Sequence, residues 1–234
     1  MRHDSTNPQV VLAWSGGKDS SVALQALHAD PATEPVALLT TVTREYDRVS
    51  MHGVRRSLLA AQAASIGLPL VEAFIPAQAT NDAYETAMRA AFGEIGLRFP
   101  LARHVAFGDL FLADVRAYRE RQMAGTGFDP LFPLWGRDTR ALGERFIAER
   151  FEAVVVCVDT QQIAASFAGR NYDQQFLRDL PTAADPCGEN GEFHTFVADG
   201  PVFHTRVPYA RGEVVLRNER FAYCDLTPRT LDRA

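Results

Sequence analysis

The run Ala13-Trp14-Ser15-Gly16-Gly17-Lys18-Asp19-Ser20-Ser21 constrains the fold more than any other part of the chain. It stands between a short apolar run, Val10–Trp14, and an apolar stretch from Ser20 to about His28. In that stretch Val22, Leu24 and Leu27 are too dense for an exposed helix. A strand, a glycine turn and a buried helix in this order place the first amides of the helix at the end of the strand. Glycines let the backbone turn tightly and approach an anion without a Cβ in the way. The helix amides and dipole then favour a phosphate. Ser15, Ser20 and Ser21 add hydroxyls, and Lys18 adds a charge if it points inward. Asp19 would repel a phosphate, so its presence suggests a Mg²⁺ ion bridging carboxylate and phosphate oxygens. A Walker loop is excluded, because Leu12 stands at its first glycine position and Asp19 follows the lysine. The pattern Gly-x-Gly-x-x-Gly is absent as well. The bland alternative is a structural turn in which Asp19 or Ser20 caps the helix.

Further strands are expected at Val36–Val42, Leu68–Ile75, Val105–Phe107, Leu131–Leu134 and, most clearly, Ala153–Val158. Helices are expected between them. One carries Val54, Leu58, Ala61 and Ala64 on one face; one runs from an Asn81 N-cap to about Ile95; others span 110–123 and 139–149. This alternation predicts an α/β fold with a parallel sheet covered on both faces. Ligands of such sheets bind beyond the carboxyl ends of the strands, so Ser15, Arg44, Gly108 and Asp159 should converge. After about Ala165 prolines and glycines punctuate short runs such as Glu192–Ala198 and Val214–Arg217. The chain is therefore divided into a nucleotide domain, 1–165, and a small, mainly β substrate-binding segment, 166–234.

Function classes narrow on charge and cysteine content. A net charge of −5 argues against a partner held by its phosphate backbone, so nucleic acid is not expected. No apolar run reaches bilayer length, and the polar stretch Met1 to Gln9 does not read as a signal peptide. Three widely spaced cysteines fit a reducing compartment. The expected location is cytoplasmic, without a membrane partner. His194, His204 and Cys187 lack the short paired spacing of a zinc site.

Ser-Gly-Gly-x-Asp-Ser after a first strand resembles the PP-loop of the ATP-pyrophosphatase, or adenine nucleotide α-hydrolase-like, superfamily. More segments are similar to one branch, the diphthine–ammonia ligase family: Ser50-Met51-His52, Phe107-Gly108-Asp109-Leu110, Arg116 through Glu120, and Pro133-Leu134-Trp135. The most specific is Cys187-Gly188-Glu189-Asn190-Gly191-Glu192-Phe193-His194-Thr195, trailed by Asp199-Gly200-Pro201. The Ala- and Arg-rich composition leans to a bacterial member. The resemblance implies a Rossmann-like, five-stranded parallel sheet with helices on both faces. It also implies an ATP-dependent ligase that adenylates a carboxylate or carbonyl oxygen, releases pyrophosphate and forms an amide with ammonia.

On that resemblance ATP and Mg²⁺ are the expected cofactors, and ammonium and an unidentified acceptor the other partners. Ser15, Gly16, Gly17, Lys18, Asp19, Ser20, Thr41, His52, Gly108 and Asp109 would bind the nucleotide, with Asp19 on the metal. Glu189, Glu192 and His194 would be catalytic. The family commonly carries an acidic residue where this chain has His194, which leaves the acceptor open. Each residue has a structural alternative: His52 as the start of a helix, Asp109 as a helix cap, Trp135 as core, and Arg116, Arg119 and Glu120 as a surface ion network. The competing functions are a PP-loop tRNA-thiolating enzyme and a non-catalytic ATP- or AMP-binding protein. Homo-oligomerisation is left open.

Overall fold

The computed structural model describes residues 7–229, so most of the polar Met1–Gln9 stretch lies outside the described residues. Strand β1 (Gln9–Ala13) carries the fully buried Val10, Val11 and Leu12. Successive side chains of a strand face opposite ways, and accordingly Val10 and Leu12 enter one core and Val11 another. A strand covered on both faces belongs at the centre of a sheet. Here β1 lies parallel to β2 (Glu34–Thr43) on one side and to β5 (Ala102–Ala106) on the other. Parallel β4 (Leu70–Ile75) extends the sheet beyond β2, and parallel β6 (Asp129–Leu131) beyond β5. These five parallel strands carry one antiparallel addition, the short β3 (Arg48–Val49), at the end of β2.

Helices α1 (Lys18–Ala29) and α2 (Arg56–Ile66) contribute Leu24, Leu27, Leu58 and Leu59 to the core on one face. On the other face α3 (Asn81–Arg98) brings Met88, Phe92 and Ile95, and α4 (Ala113–Met123) brings Met123. The doubly covered α/β architecture follows the expectation. The chain runs outward from β1 through β2 to β4, then crosses back to β5 and β6. The order thus reverses between β1 and β5, where such sheets open a crevice at the strand ends.

The second layer departs from the sequence reading. After α5 (Thr139–Ala148), strand β7 (Glu152–Asp159) does not join the parallel sheet. It pairs antiparallel with β8 (Phe193–Asp199) and β10 (Phe221–Pro228), and β9 (Tyr209–Arg217) completes the order β8-β7-β10-β9. The apolar run at 153–158 reports that both faces are covered; it carries no information on which strands lie beside it. The change of sheet falls between β6 and β7, ahead of the division drawn at residue 165. Helix starts also shift. Thr80, not Asn81, caps α3 through its hydroxyl to Ala83 N–H (3.3 Å). Helix α4 begins at Ala113 with Leu112 as N-cap, so Asp109 caps nothing. A short helix, α6 (Gln174–Asp179), precedes β8. Among the described residues no helix is long and apolar enough to cross a membrane.

Candidate functional site

The glycine loop is shaped by what lies beneath it. Gly16 sits at φ +78°, and a Cβ there would lie 2.6 Å from Gln62 Oε1 and 2.6 Å from Leu59 Cδ1. Only glycine satisfies both the left-handed backbone and the contact. Gln62 is wholly buried. Its Oε1 accepts from Trp14 Nε1 (3.0 Å), and its Nε2 donates to the carbonyls of Gly16 (3.0 Å) and Val197 (2.6 Å). Val197 N–H donates to the same Gly16 carbonyl (2.9 Å). The loop is therefore tied at once to α2 and to β8. Sequence reading missed Gln62; its one signal was a polar residue within an otherwise apolar helix face.

Gly17 is the N-cap of α1, and its carbonyl accepts from the hydroxyls of Ser20 (2.9 Å) and Ser21 (3.0 Å). Ser15 Oγ lies 3.3 Å from Ser20 Oγ and accepts from Gly17 N–H at 3.3 Å. A Cβ on Gly108 would stand 3.0 Å from the Asp19 carbonyl carbon. That glycine lets the end of β5 close against the first turn of α1.

Lys18 does not point into the cavity as a free charge. Its side chain is buried, and Nζ donates to both Asp19 oxygens (2.8 Å each) and to the Cys187 carbonyl. Burial is the strongest influence and opposes the Lys18 charge, but Asp19, Cys187 and Glu189 together outweigh it and hold the ammonium above the ordinary lysine range. Lys18 N–H donates to Thr195 Oγ1 (3.0 Å). The turn 187–195 is thereby latched onto the loop through both backbone and side chain of one residue.

Loop and turn face each other across a cavity of about 700 Å³, within the range of small-molecule sites. Of the expected residues, Ser15, Gly17, Lys18, Asp19, Ser20, Thr41, His52, Gly108, Asp109, Glu189 and His194 line it. Gly16 lies just behind as a support. Asp109 Oδ2 receives Arg119 Nε at 3.4 Å, and Arg119 also lines the cavity. Arg119 therefore leaves the expected surface network, which is reduced to the Arg116–Glu120 pair (2.9 Å). Trp135 is outside the cavity, beneath the Arg116 guanidinium (4.8 Å). Tyr84, Met88 and Tyr118, from α3 and α4, complete the wall and were not anticipated. Their spacing reads as ordinary helix amphipathicity.

Two expected convergences are corrected, and Glu192 sits apart from the other turn residues. Asp159 lies in the second sheet and pairs with Arg220 (2.6 Å), which holds its carboxyl down to about 2. Arg44 turns onto the Phe74 ring (5.4 Å). Ser15 and Gly108 converge; these two do not. Glu192 is 1% exposed and does not line the cavity. Its Oε1 accepts from Asp185 N–H (2.7 Å) and Asn190 Nδ2 (3.0 Å), while the buried Oε2 has no partner. It braces the turn from inside.

Glu189 behaves differently. It lines the cavity, and its Oε1 accepts from Leu110 N–H (2.7 Å) and Phe111 N–H (3.4 Å). Burial pushes its carboxyl up to about 7, with the nearby Asp19 charge adding to the effect. His52 and His194 stand ring to ring, with centroids 4.3 Å apart. Burial, reinforced by Lys18, holds His194 down to about 4. Burial and the His194 neighbour hold His52 well below the usual imidazole range, and its Nδ1 is buried without a partner. Thr40, on the wall beside Thr41, likewise keeps a buried, unpartnered hydroxyl. Both are the kind of orphaned polar atom that a ligand would satisfy.

Among the described residues no three His, Cys, Asp or Glu side chains gather to hold a metal on protein ligands alone. Asp19 on the cavity wall suits Mg²⁺ of the sort held by one carboxylate and substrate phosphates. Residues 8–128 match the family model described as the diphthamide synthase N-terminal domain, and residues 138–227 match the diphthamide synthase C-terminal domain. No curated protein matches the chain significantly.

Proposed function

The chain belongs to the diphthamide synthase family, whose members are ATP-utilising, diphthine–ammonia ligase-like enzymes, and from that premise we propose an adenylating amide ligase acting in the cavity between the glycine loop and the 187–195 turn. ATP lays its phosphates against Ser15–Ser20 and its adenine toward Thr41. Asp19 would hold a Mg²⁺ ion, which would supply charge neutralisation on the leaving group. An acceptor carboxylate oxygen attacks the α-phosphorus; the bond to the β-phosphate bridging oxygen breaks and pyrophosphate leaves. Ammonia then attacks the activated carbonyl carbon, and AMP departs with the former acceptor oxygen.

Ammonium has no lone pair with which to attack, so one group must take its proton. The observation that carries the reading is Glu189, a cavity-facing carboxylate held near 7 opposite the loop. Such a group is poised to accept a proton near neutral pH. His194, held near 4, is a poor base for this task and serves as a neutral hydrogen-bond partner for the acceptor. Glu192 keeps the turn in shape.

The test is to incubate the protein with ATP, Mg²⁺, ammonium and candidate carboxylate acceptors while following nucleotide products and acceptor mass. AMP and pyrophosphate should accumulate, with an acceptor loss of about 1 Da from acid to amide. ADP and phosphate as main products would refute the adenylation chemistry.

A further inference from the structure

Strand β9 stands at the edge of the second sheet, hydrogen-bonded to β10 on one side only. Residues 211–217 of it are exposed, including three apolar side chains in a row: Val214 (48%), Val215 (36%) and Leu216 (55%). An exposed apolar edge with unpaired backbone groups is a template for another strand. Its charges say which strand. Within the strand Glu213 and Arg217 stand two residues to either side of Val215 with opposite signs. Glu213 and Arg217 form no ion pair within the chain, among the described residues.

We propose that β9 is a self-complementary dimerisation edge, pairing antiparallel with β9 of a second copy about a two-fold axis through Val215. In that register Glu213 of each copy lies opposite Arg217 of the other, and Val214 lies opposite Leu216. Directly opposed charges of opposite sign stabilise such pairs, and like charges destabilise them. Two-fold axes through the neighbouring residues do not keep these pairs. Centring on Val214 would set Arg211 against Arg217, and centring on Leu216 would set Arg217 against apolar Val215 and leave Glu213 facing the left-handed turn at 218–219. Parallel in-register pairing would oppose every charge to itself. One register survives, and a two-fold contact closes on itself rather than building a filament. The two four-stranded sheets would fuse into one continuous sheet, leaving both cavities free.

Sedimentation velocity of the full chain at micromolar concentration tests this. The wild type should run as two 25.8 kDa chains. Glu213→Arg or Arg217→Glu alone should weaken the dimer by about tenfold or more, since each creates two like-charge pairs across the axis. The double exchange, Glu213→Arg with Arg217→Glu, should restore it. The two single variants, mixed, should associate with each other. Melting curves run in parallel confirm that each variant is folded. A wild type that stays monomeric, or one that pairs only with a different protein, overturns the proposal. So does a double exchange that remains as weak as the single variants.

Discussion

The glycine loop and the 187–195 turn face one cavity but are made of different materials. The loop works through backbone: Gly16 supplies a left-handed residue, Gly17 a cap, and the α1 amides a positive end. The turn works through titratable side chains. Asp185 ties it internally, with Oδ1 accepting from Cys187 N–H (2.8 Å) and Glu189 N–H (3.2 Å), and Oδ2 accepting from Thr139 Oγ1 (2.6 Å). That scaffold leaves Glu189 outside and Glu192 inside. The lesson is that two carboxylates three residues apart acquire opposite surroundings from burial and partners alone. A loop built on backbone tolerates almost no substitution at its glycines; a turn built on side chains permits its functional and structural groups to be separated one at a time.

The largest effect is expected in the loop. Gly16→Ala adds a Cβ against Gln62 and Leu59 and forces a non-glycine residue to φ +78°. Left-handed strain of about 1–2 kcal/mol and overpacking of about 1–3 kcal/mol should combine. Both the melting temperature and calorimetric ATP binding should drop sharply; a variant with wild-type melting would mean that the loop is far more pliant than its contacts indicate.

On the turn, Glu189→Gln should lower the amidation rate by about 10²–10⁴-fold, the usual contribution of a general base. ATP affinity and melting should stay near wild type. Because the base must be ionised to accept a proton, wild-type rate should rise with pH through about 7. That limb should vanish in the variant, and an unchanged pH profile would remove Glu189 from the chemistry.

Glu192→Gln is the contrasting experiment. It places an amide N–H₂ at the unpartnered, buried Oε2 position, at a cost of about 1–3 kcal/mol for an unsatisfied donor. Melting should fall while turnover per folded molecule persists. Loss of turnover at constant melting temperature would restore the catalytic role expected from sequence.

A smaller effect concerns acid. His194 is held near 4 in the folded chain, against 6.5 as the ordinary value. As pH falls below 6.5 the unfolded state takes up the proton first, so stability is full above that value and declines toward pH 4. Replacing His194 by Gln should flatten the melting-temperature profile across this window. Least of all, Asp225→Asn should cost under about 1 kcal/mol. Its pairs with Arg48 (2.9 Å) and Arg55 (2.7 Å) are partly exposed and screened by solvent. Chemical denaturation would reveal a larger loss if that contact anchors the His52 loop to the second sheet.

Much of the molecule was legible before any coordinates. The parallel sheet and the loop after β1 follow from local signals, an apolar run buried on both faces and glycines where backbone must turn; Thr41, His52, Gly108 and Asp109, which the sequence placed near the loop partly through family resemblance, do line the same cavity. These signals are properties of adjacent residues. The membership of β7, the outward turn of Arg44 and the separation of Asp159 were not legible, because an apolar strand carries the same pattern whichever sheet receives it. Gln62 and Asp185 escaped for the same reason, since their partners lie at Gly16, Val197 and Thr139. Sequence alone determined that a glycine loop would turn between β1 and α1 and that a carboxylate-rich turn would exist. Only the tertiary structure decided which carboxylate faces the cavity, because burial and hydrogen-bond partners, which set both position and pKa, are supplied by residues distant along the chain.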